Sequence, residues 1–297
     1  MLESKISLEN NPFNNSSKNF KTLILDGSMG SYLQEKGFKA DNSSWMTSIN
    51  QSNPEIIIQV HKEYIESGAD IITTNTFRTN PAANEENERK LKANVKQAVQ
   101  IAIEASEGYD VYIAGSNAPA EDCYQKQRTI SNKTLELNHK YHIDLLIDNE
   151  VHFILNETQS HLDEIKIICD HCFKNNIPYL ISLYLNSEQN ILSGESLEYV
   201  VKFILDHKPL AIGLNCIPTE LFLNLREQVS SYYYWGYYLN CGSGNPTDRI
   251  ITCGVSPDDY IETVKESMVY NPSFVGSCCG SNPNHIKKIR EYLDGRN

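Results

Sequence analysis

The sequence contains no apolar run of the roughly 20 residues that a membrane-spanning helix needs. Its first 19 residues are polar and rich in asparagine, with no apolar segment of the kind that a secretory signal carries. We therefore expect a flexible tail over residues 1–19 and a cytoplasmic location for the protein. The rest of the sequence has no linker that would divide it, so we expect residues 20–297 to form one domain.

Positive charge is also scarce. The chain has 26 Lys and Arg residues against 38 Asp and Glu residues, which gives a formal net charge of −12. Such a chain repels the phosphate groups of nucleic acids and of anionic membrane surfaces. We therefore expect small-molecule substrates, with no nucleic acid or membrane as a partner. The composition does not fix an oligomeric state.

Short runs of strand-like composition alternate with helix-length segments from residue 21 to the end. The predicted strands are Thr22–Leu25, Ile71–Thr74, Tyr112–Ala114, Val151–Leu155, Tyr179–Tyr184, Ala211–Leu214, Tyr232–Tyr238 and Phe274–Gly276. Two of the intervening helices open with capping signals, Asn53 before Pro54 and Ser256 before Pro257. Eight strand–helix units in one chain predict a single (β/α)8 barrel, because an open doubly wound sheet usually has fewer strands or a second domain.

In such barrels, functional residues collect at the C-terminal ends of the strands. Polar or thiol side chains follow six of the predicted strands. They are Asp26 after strand 1, Thr74 and Asn75 after strand 2, Glu157 after strand 4, Asn215 and Cys216 after strand 6, Asn240 after strand 7, and Cys278 and Cys279 after strand 8. We therefore expect these side chains to share one rim of the barrel.

Three cysteines at this rim have the chemistry of a catalytic zinc site. Zinc prefers four tetrahedral ligands, so thiolates from Cys216, Cys278 and Cys279 would leave the fourth position open to a substrate. Gly276 and Gly280 flank the adjacent pair and allow the sharp turn that a shared ion requires. A substrate thiol at the fourth position would lose its proton to the effect of the metal, and the resulting thiolate would remain nucleophilic because the other three thiolates already donate strongly to the ion. This ligand set suits thiol alkylation better than hydrolysis.

Other interpretations of the cysteines stay open at this point. Any of the three could be an inert core residue, and the adjacent pair could form a redox switch, although a reducing cytosol favours thiols or metal ligands. Cys169 and Cys172 form a C-x-x-C motif inside a predicted helix, and without a second pair they are weak candidates for structural zinc. An auxiliary role for Cys241 is possible.

Several motifs are distributed over almost the whole chain. They are Leu25-Asp26-Gly27-Ser28-Met29-Gly30, the segment from Gly68 to Phe77, Asn156-Glu157-Thr158, Gly213-Leu214-Asn215-Cys216 and Gly276-Ser277-Cys278-Cys279-Gly280. Together they resemble the zinc-dependent homocysteine S-methyltransferases, and the resemblance extends from residue 21 to residue 293. It implies Zn²⁺ as the cofactor, held by Cys216, Cys278 and Cys279, and an amino-acid pocket that includes Asp26, Gly27 and Glu157.

Homocysteine carries an ammonium, a carboxylate and a thiol, and this pocket suits each of them. Asp26 and Glu157 supply negative charge for the ammonium, and Asp26 could also cap the following helix. Backbone N–H groups at Gly27 and Ser28 would suit the carboxylate. Two further rim residues are expected to contact the substrate. These are Thr74 and Asn215. No catalytic residue is expected beyond the zinc centre.

The methyl donor is less constrained by the sequence. Arg78 near the rim disfavours betaine, and the absence of a G-x-G-x-x-G motif disfavours a Rossmann-type adenosyl site. No cobalamin or folate module is visible. A sulfonium leaves as a neutral thioether and needs no general acid, so S-methylmethionine is favoured, then S-adenosylmethionine, with methionine as the product.

Two alternatives remain, a non-catalytic zinc-binding barrel and a methyltransferase for another thiol or selenol acceptor. Gly115–Tyr124 differs from the loop that is common after strand 3 in the family, and this loop lies where a donor could approach.

Overall fold

The computed structural model describes residues 6–14, 20–40, 45–83, 88–232, 234–245 and 248–296. Within these residues the strands are β1 (Leu23–Ile24), β2 (Ile71–Thr73), β3 (Tyr112–Asn117), β4 (Phe153–Gln159), β5 (Tyr179–Leu183), β6 (Ala211–Asn215), β7 (Trp235–Leu239) and β8 (Phe274–Ser277). The helices are α1 (Met29–Glu35), α2 (Ile49–Ser52), α3 (Pro54–Glu66), α4 (Glu88–Ser106), α5 (Asn132–Asp148), α6 (Leu162–Lys174), α7 (Leu197–Asp206), α8 (Thr219–Ser230), α9 (Pro257–Ser267) and α10 (Pro283–Asp294).

The strands form one parallel sheet that closes into a barrel. Its order is β1-β8-β7-β6-β5-β4-β3-β2, and each strand pairs in parallel with its neighbour. The two edge strands meet through a parallel bridge between Leu25 and Ile71. The N–H of Asp26 donates to the Ile71 carbonyl at 2.9 Å, and the N–H of Asp70 donates to the Ile24 carbonyl at 2.8 Å. These contacts confirm the predicted single (β/α)8 barrel.

The helices between the strands cover the outside of the barrel. The predicted start of α9 is confirmed, because the Ser256 hydroxyl accepts from the Asp259 N–H at 3.2 Å. Asn53 precedes Pro54 at the start of α3 as predicted, but its side chain makes no capping hydrogen bond. Among the described helices, none combines the length and apolarity needed to cross a membrane.

Five strands end closer to the rim than the sequence predicts, β6, β7 and β8 by one residue and β3 and β4 by more. Strand β3 continues to Asn117 and β4 continues to Gln159, whereas the predicted strands end at Ala114 and Leu155. Glu157 therefore lies inside β4 and does not follow it. The polar residues at the ends of these strands hide the strand pattern, because they face a polar site instead of an apolar core.

The barrel interior changes from apolar to polar along its axis. Toward the N-terminal ends of the strands, the interior is filled by a buried apolar cluster that includes Ala114, Leu155 and Leu180. Two residues further along the same strands, the interior positions are Ser116, Glu157 and Ser182. The end of the barrel that holds the polar layer is therefore the end suited to a functional site.

Part of the N-terminal segment lies against the opposite end of the barrel. Phe13 is fully buried and packs edge-to-face on Phe153 and Phe274, with ring centroids 5.6 Å apart in both pairs. The Asn11 amide donates to the Leu210 carbonyl at 2.8 Å. The predicted flexible tail includes residues 1–5 and 15–19, which lie outside the described residues. Its described part, residues 6–14, closes the N-terminal mouth of the barrel.

Candidate functional site

The barrel brings together the three cysteines that the sequence selects. Cys216 follows β6, and Cys278 and Cys279 follow β8, so strands two positions apart in the sheet deliver them to one point. Their Sγ atoms all lie within 4.8 Å of one another. The Cys279 Sγ is 3.9 Å from the Cys216 Sγ and 4.0 Å from the Cys278 Sγ.

Two of these thiols are joined in the structure. Cys216 and Cys278 form a disulfide, and Cys279 is a free thiol. The sequence favoured thiols or metal ligands, and it placed any disulfide in the adjacent pair. The observed pairing differs because the chain turns between the adjacent cysteines, so the neighbour of Cys278 across the rim is Cys216. Reduction of this disulfide would give three thiols at one point.

The turn that carries the adjacent cysteines is fixed by backbone contacts with the loop after β7. The Cys278 N–H donates to the Leu239 carbonyl at 2.8 Å, and the Cys241 N–H donates to the Cys279 carbonyl at 2.7 Å. Gly280 has a φ of +80°, a conformation that favours glycine, and Gly242 lies directly against it. Cys241 thus supports the turn through its backbone and is itself buried.

Asp26 lies at the bottom of a cavity beside the thiol cluster. Its carboxylate accepts from the N–H and from the hydroxyl of Thr73, at 2.8 Å each. Burial raises the pKa of Asp26 to about 8, although the two hydrogen bonds oppose this shift, and the charge of Glu157 adds to it. A carboxylate held in this way attracts a cation, which would restore the ionised form.

Glu157 faces the same cavity from β4. It accepts a short hydrogen bond from the Ser116 hydroxyl on β3. Burial raises the pKa of Glu157 to about 7. Asp26 is buried and Glu157 is partly buried at the same cavity, and each carboxyl group lacks a cationic partner among the contacts described for it.

The other residues predicted to bind substrate differ in whether they line the cavity and in the hydrogen bonds that they form within the protein. Gly27 and Ser28 line the cavity, but the Ser28 N–H already donates to the Ser281 hydroxyl at 3.1 Å. The Thr74 hydroxyl accepts from the Ser116 N–H at 3.1 Å while its residue lines the cavity. Asn215 is not part of the lining.

The amide of Asn215 is engaged by a single neighbour. Its oxygen accepts from the Thr158 N–H and its nitrogen donates to the Thr158 hydroxyl, both at 2.9 Å. Thr158 lines the cavity with a φ of +58°. A direct contact of Asn215 with substrate stays a prediction. In the structure, the Asn215 side chain holds Thr158 in place through two hydrogen bonds.

The cavity has a volume of about 510 Å³ and is larger than an amino acid requires. Sequence reasoning missed much of its wall. The missed lining residues include Thr73, Trp45, Asp248, Arg249 and Ile251, whereas Ser116, Asp122, Cys123 and Tyr124 fall in the Gly115–Tyr124 segment that the sequence placed where a donor could approach. Alternation along β3 could have identified Ser116, which is two residues beyond the buried Ala114. Thr73 lies at the end of β2, and the remaining missed residues come from loops, where the sequence carries no periodic signal.

Comparisons with known proteins cover nearly the whole chain. The profile of the homocysteine S-methyltransferase family matches residues 23–293. The homocysteine S-methyltransferase of Escherichia coli strain K12 is 26% identical, over 95% of this chain and 98% of its own length. The selenocysteine methyltransferase of Astragalus bisulcatus is 25% identical, over 92% of this chain and 93% of its own length.

Solved structures give the same picture of the fold. The metallated form of the E. coli homocysteine methyltransferase MmuM superposes with a TM-score of 0.80 at 23% identity, covering 97% of this chain and 100% of that chain. Its oxidised form gives a TM-score of 0.82 at 21% identity, covering 95% and 100%. At these identities the likeness shows a shared barrel fold.

Proposed function

Because the chain belongs to the homocysteine S-methyltransferase family, we propose that it is a zinc-dependent enzyme that moves a methyl group from a sulfonium donor to the thiol of homocysteine. S-Methylmethionine is the donor we favour, and S-adenosylmethionine is the second choice. The observation that carries this proposal is the meeting of three cysteine sulfurs and the carboxyl groups of Asp26 and Glu157 in one cavity. The product would be methionine.

The thiol cluster fits zinc by its chemistry and its dimensions. Tetrahedral zinc–thiolate bonds of about 2.3 Å place the sulfur atoms about 3.8 Å apart. The separations of 3.9 and 4.0 Å from the Cys279 Sγ to the other two sulfurs are close to that value. The third pair, Cys216 and Cys278, is joined as a disulfide and would have to be reduced before it could bind zinc. Zinc held there would lower the pKa of an acceptor thiol and keep the resulting thiolate available as a nucleophile. Cys216, Cys278 and Cys279 are the proposed ligands.

The residues of the chain would bind and orient the acceptor. Asp26 and Glu157 would accept hydrogen bonds from its ammonium, which supplies the cation that both buried carboxyl groups lack. The acceptor sulfur would then form a bond to the donor methyl carbon. The bond between that carbon and the donor sulfur breaks, and its electron pair stays on the donor sulfur as a neutral thioether. The proton leaves from the acceptor thiol, so no side chain needs to protonate a leaving group.

A reducing compartment would suit this site, because its ligands must be thiolates. We therefore place the enzyme in the cytoplasm, within methionine biosynthesis. A different acceptor is the second candidate, since one relative is a selenocysteine methyltransferase. Both candidates share the same cavity and metal site.

The first test is metal content and turnover of the reduced protein. We expect about one zinc per chain and methionine formation from homocysteine with S-methylmethionine. Parallel assays use S-adenosylmethionine, betaine and, as acceptor, selenocysteine. Zinc without turnover for any pair would favour a non-catalytic barrel, and absence of zinc from the reduced protein would contradict the metal site.

The cysteine variants make the test specific. Cys279→Ala is expected to lower zinc to well below one per chain and activity by at least about 100-fold, because two thiolates hold zinc weakly. Cys253 is exposed and outside the cluster, so Cys253→Ala is the matched control and should keep both zinc and activity. Full activity in a zinc-free Cys279→Ala protein would overturn the scheme.

A further inference from the structure

The loop between β3 and α5, residues 118–131, forms one wall of the cavity next to the thiol cluster. Asp122, Cys123 and Tyr124 line the cavity from this loop. Cys279 lines the same cavity, so the loop tip and the thiol cluster border one space. Asp26 follows β1 and Glu157 lies in β4, whereas the loop borders the part of the cavity left for the donor.

A buried carboxylate on α6 holds this loop. Glu164 is fully buried in the first turn of α6. One of its oxygens accepts from the Ala120 N–H at 2.7 Å and from His139 Nε2 at 2.9 Å. The other accepts from Arg128 Nη2 at 2.8 Å. Ala120 and Arg128 lie on either side of the cavity-lining residues, so one carboxylate fixes both ends of the loop tip.

The partners of Glu164 are themselves held in place. Asn117 Nδ2 donates to His139 Nδ1 at 3.2 Å, which leaves the His139 Nε2–H to donate to Glu164. Arg128 also pairs with Asp163 at 2.9 Å and with Glu121 at 3.2 Å. Burial alone would raise the pKa of Glu164, but His139, Arg128 and the Ala120 N–H outweigh it and bring that pKa to about 2. The Glu164 carboxylate is therefore ionised, and both of its oxygens are engaged by Ala120, His139 and Arg128.

Further contacts hold the loop tip but do not replace Glu164. The Ser160 hydroxyl donates to the Cys123 carbonyl at 3.1 Å, and Arg78 Nη1 donates to the Glu121 carbonyl at 3.0 Å. The Tyr124 ring packs edge-to-face on Tyr184 with centroids 5.1 Å apart. Each of these contacts reaches the loop at one point. Glu164 contacts the loop at two points, Ala120 and Arg128, and its carboxylate is both buried and charged.

We propose that Glu164 is a positioning residue for the methyl donor, which acts by holding the β3–α5 loop so that Asp122 and Tyr124 face the donor. A carboxylate and an aromatic ring at this wall favour a cationic group such as a sulfonium. Glu164 does not touch the substrate and is not a catalytic residue. The inference rests on the proposed methyl transfer and adds a determinant of donor affinity to it.

The test compares wild-type metal-loaded protein with Glu164→Gln. Glutamine keeps the shape of the side chain but removes its charge, and one of its two acceptor positions becomes a donor facing Arg128. We expect the KM for the sulfonium donor to rise by about 10-fold, whereas the KM for homocysteine and the zinc content should change by less than about twofold. A KM for the donor equal to that of the wild type would overturn the proposal.

A second measurement does not depend on turnover. Cys123 is a buried residue of the loop, so loosening of the loop should expose its thiol to iodoacetamide, and peptide mass spectrometry can follow each cysteine separately. We expect Cys123 alkylation to accelerate by about 10-fold in Glu164→Gln. Exposed Cys253 should react equally in both proteins. If the wild type turns over no donor at all, the proposed function fails, but this measurement still reports whether Glu164 holds the loop.

Internal controls separate positioning from general stability. Cys169 and Cys172 are buried on the same helix as Glu164. Their alkylation together with Cys123 would mean that the whole helix loosens, which would contradict the proposal. Asp70→Asn is the matched control, because the Asp70–Arg290 pair, 2.6 Å apart, joins elements at the other end of the barrel. It should lower stability and leave both the donor KM and Cys123 protection unchanged.

A third variant protects the test against misfolding. If Glu164→Gln is insoluble, Arg128→Lys keeps the positive charge but removes the forked contacts with Glu164, Asp163 and Glu121. The same pattern is expected with a smaller rise of the donor KM, by about threefold. An unchanged donor KM in a folded Arg128→Lys protein with exposed Cys123 would show that the loop does not determine donor affinity.

Discussion

At the scale of single residues, the site is governed by carboxyl groups that the fold leaves without a cation. Burial raises the pKa of Glu157 to about 7 and that of Asp26 to about 8, so both titrate near neutral pH. An ordinary surface carboxylate would be fully ionised there. Under the proposed function, the two groups would link proton concentration to the binding of the substrate ammonium.

The pH dependence of homocysteine binding should report this link. Glu157 is neutral below its raised pKa and ionised above it, so the KM for homocysteine is expected to fall as the pH rises from about 6 to about 8. Glu157→Gln should raise the KM by about 10- to 100-fold at pH 8 and remove the part of the profile centred near pH 7. Steady-state kinetics at varied homocysteine concentration measure both effects. Glu55→Gln, at an exposed position on α3, should match the wild type.

The same ionisation costs folding stability when no ligand is bound. Because the pKa of Glu157 is higher in the folded protein than in the unfolded chain, the free energy of unfolding falls as the pH rises from about 4.5 to about 7. At pH 8 the Glu157→Gln protein should therefore unfold at a higher temperature than the wild type. A lower unfolding temperature would contradict the raised pKa.

At the scale of elements, the turn after β8 determines where two of the three thiols lie. A Cβ on Gly280 would be 2.4 Å from the Gly242 Cα and 2.5 Å from the Gly242 nitrogen, in addition to requiring a φ of +80°. Backbone atoms cannot move aside as a flexible side chain can. A substitution must therefore shift the turn and the cysteines that precede it.

Gly280→Ala is expected to weaken zinc binding by at least about 10-fold, measured by competition with a chromogenic chelator. Gly37→Ala is the control, because Gly37 has a φ of +93° but open space around its Cβ position. The Gly37→Ala protein would have the same kind of backbone strain as Gly280→Ala, of about 1 kcal/mol, without a steric clash at the added Cβ. Equal zinc affinity in the two variants would show that crowding against Gly242 does not position the thiols.

The sequence predicts strands and helices well where each face of the element keeps the same polarity along its length. The order of strands and helices follows from alternation of apolar strands and capped helices, and the three cysteines stand out because each follows a strand. The ends of β3 and β4 are mispredicted, since Ser116 and Glu157 face a polar layer. The sequence placed the segment Gly115–Tyr124 where a donor could approach, but it could not predict how Asp122 and Tyr124 are held there, because the loop is fixed by a contact between Ala120 and Glu164, which are 44 residues apart.

At the scale of the whole molecule, one end of the barrel holds the candidate site and the other end is closed by apolar packing. The C-terminal end carries the cavity and the thiols, and the N-terminal end is closed by Phe13 on Phe153 and Phe274. The Tyr237 and Phe222 rings, with centroids 4.2 Å apart, belong to the apolar layer between sheet and helices. Stability and chemistry are thus separable along the barrel axis.

Phe13→Ala should test this separation. Removal of a fully buried aromatic ring is expected to lower the free energy of unfolding by about 3–5 kcal/mol, measured by denaturant titration. The KM for homocysteine and kcat should stay within about twofold of the wild type in the folded protein. Leu8→Ala, on the same segment but half exposed, should change the free energy of unfolding by less than about 1 kcal/mol.

The short strand β1 has a consequence for motion. Only two residues of β1 pair with β8. The junction with β2 is formed by the Leu25–Ile71 bridge and by one backbone hydrogen bond on each side of it. This seam is the least extensive pairing in the sheet, so amide hydrogens there should exchange with solvent sooner than those of β5 and β6. Asp26 stands directly on the seam, and its carboxylate is bound by Thr73 from the far side. An amino acid bound at Asp26 would therefore slow the opening of the barrel wall along one line while leaving the other strands unchanged.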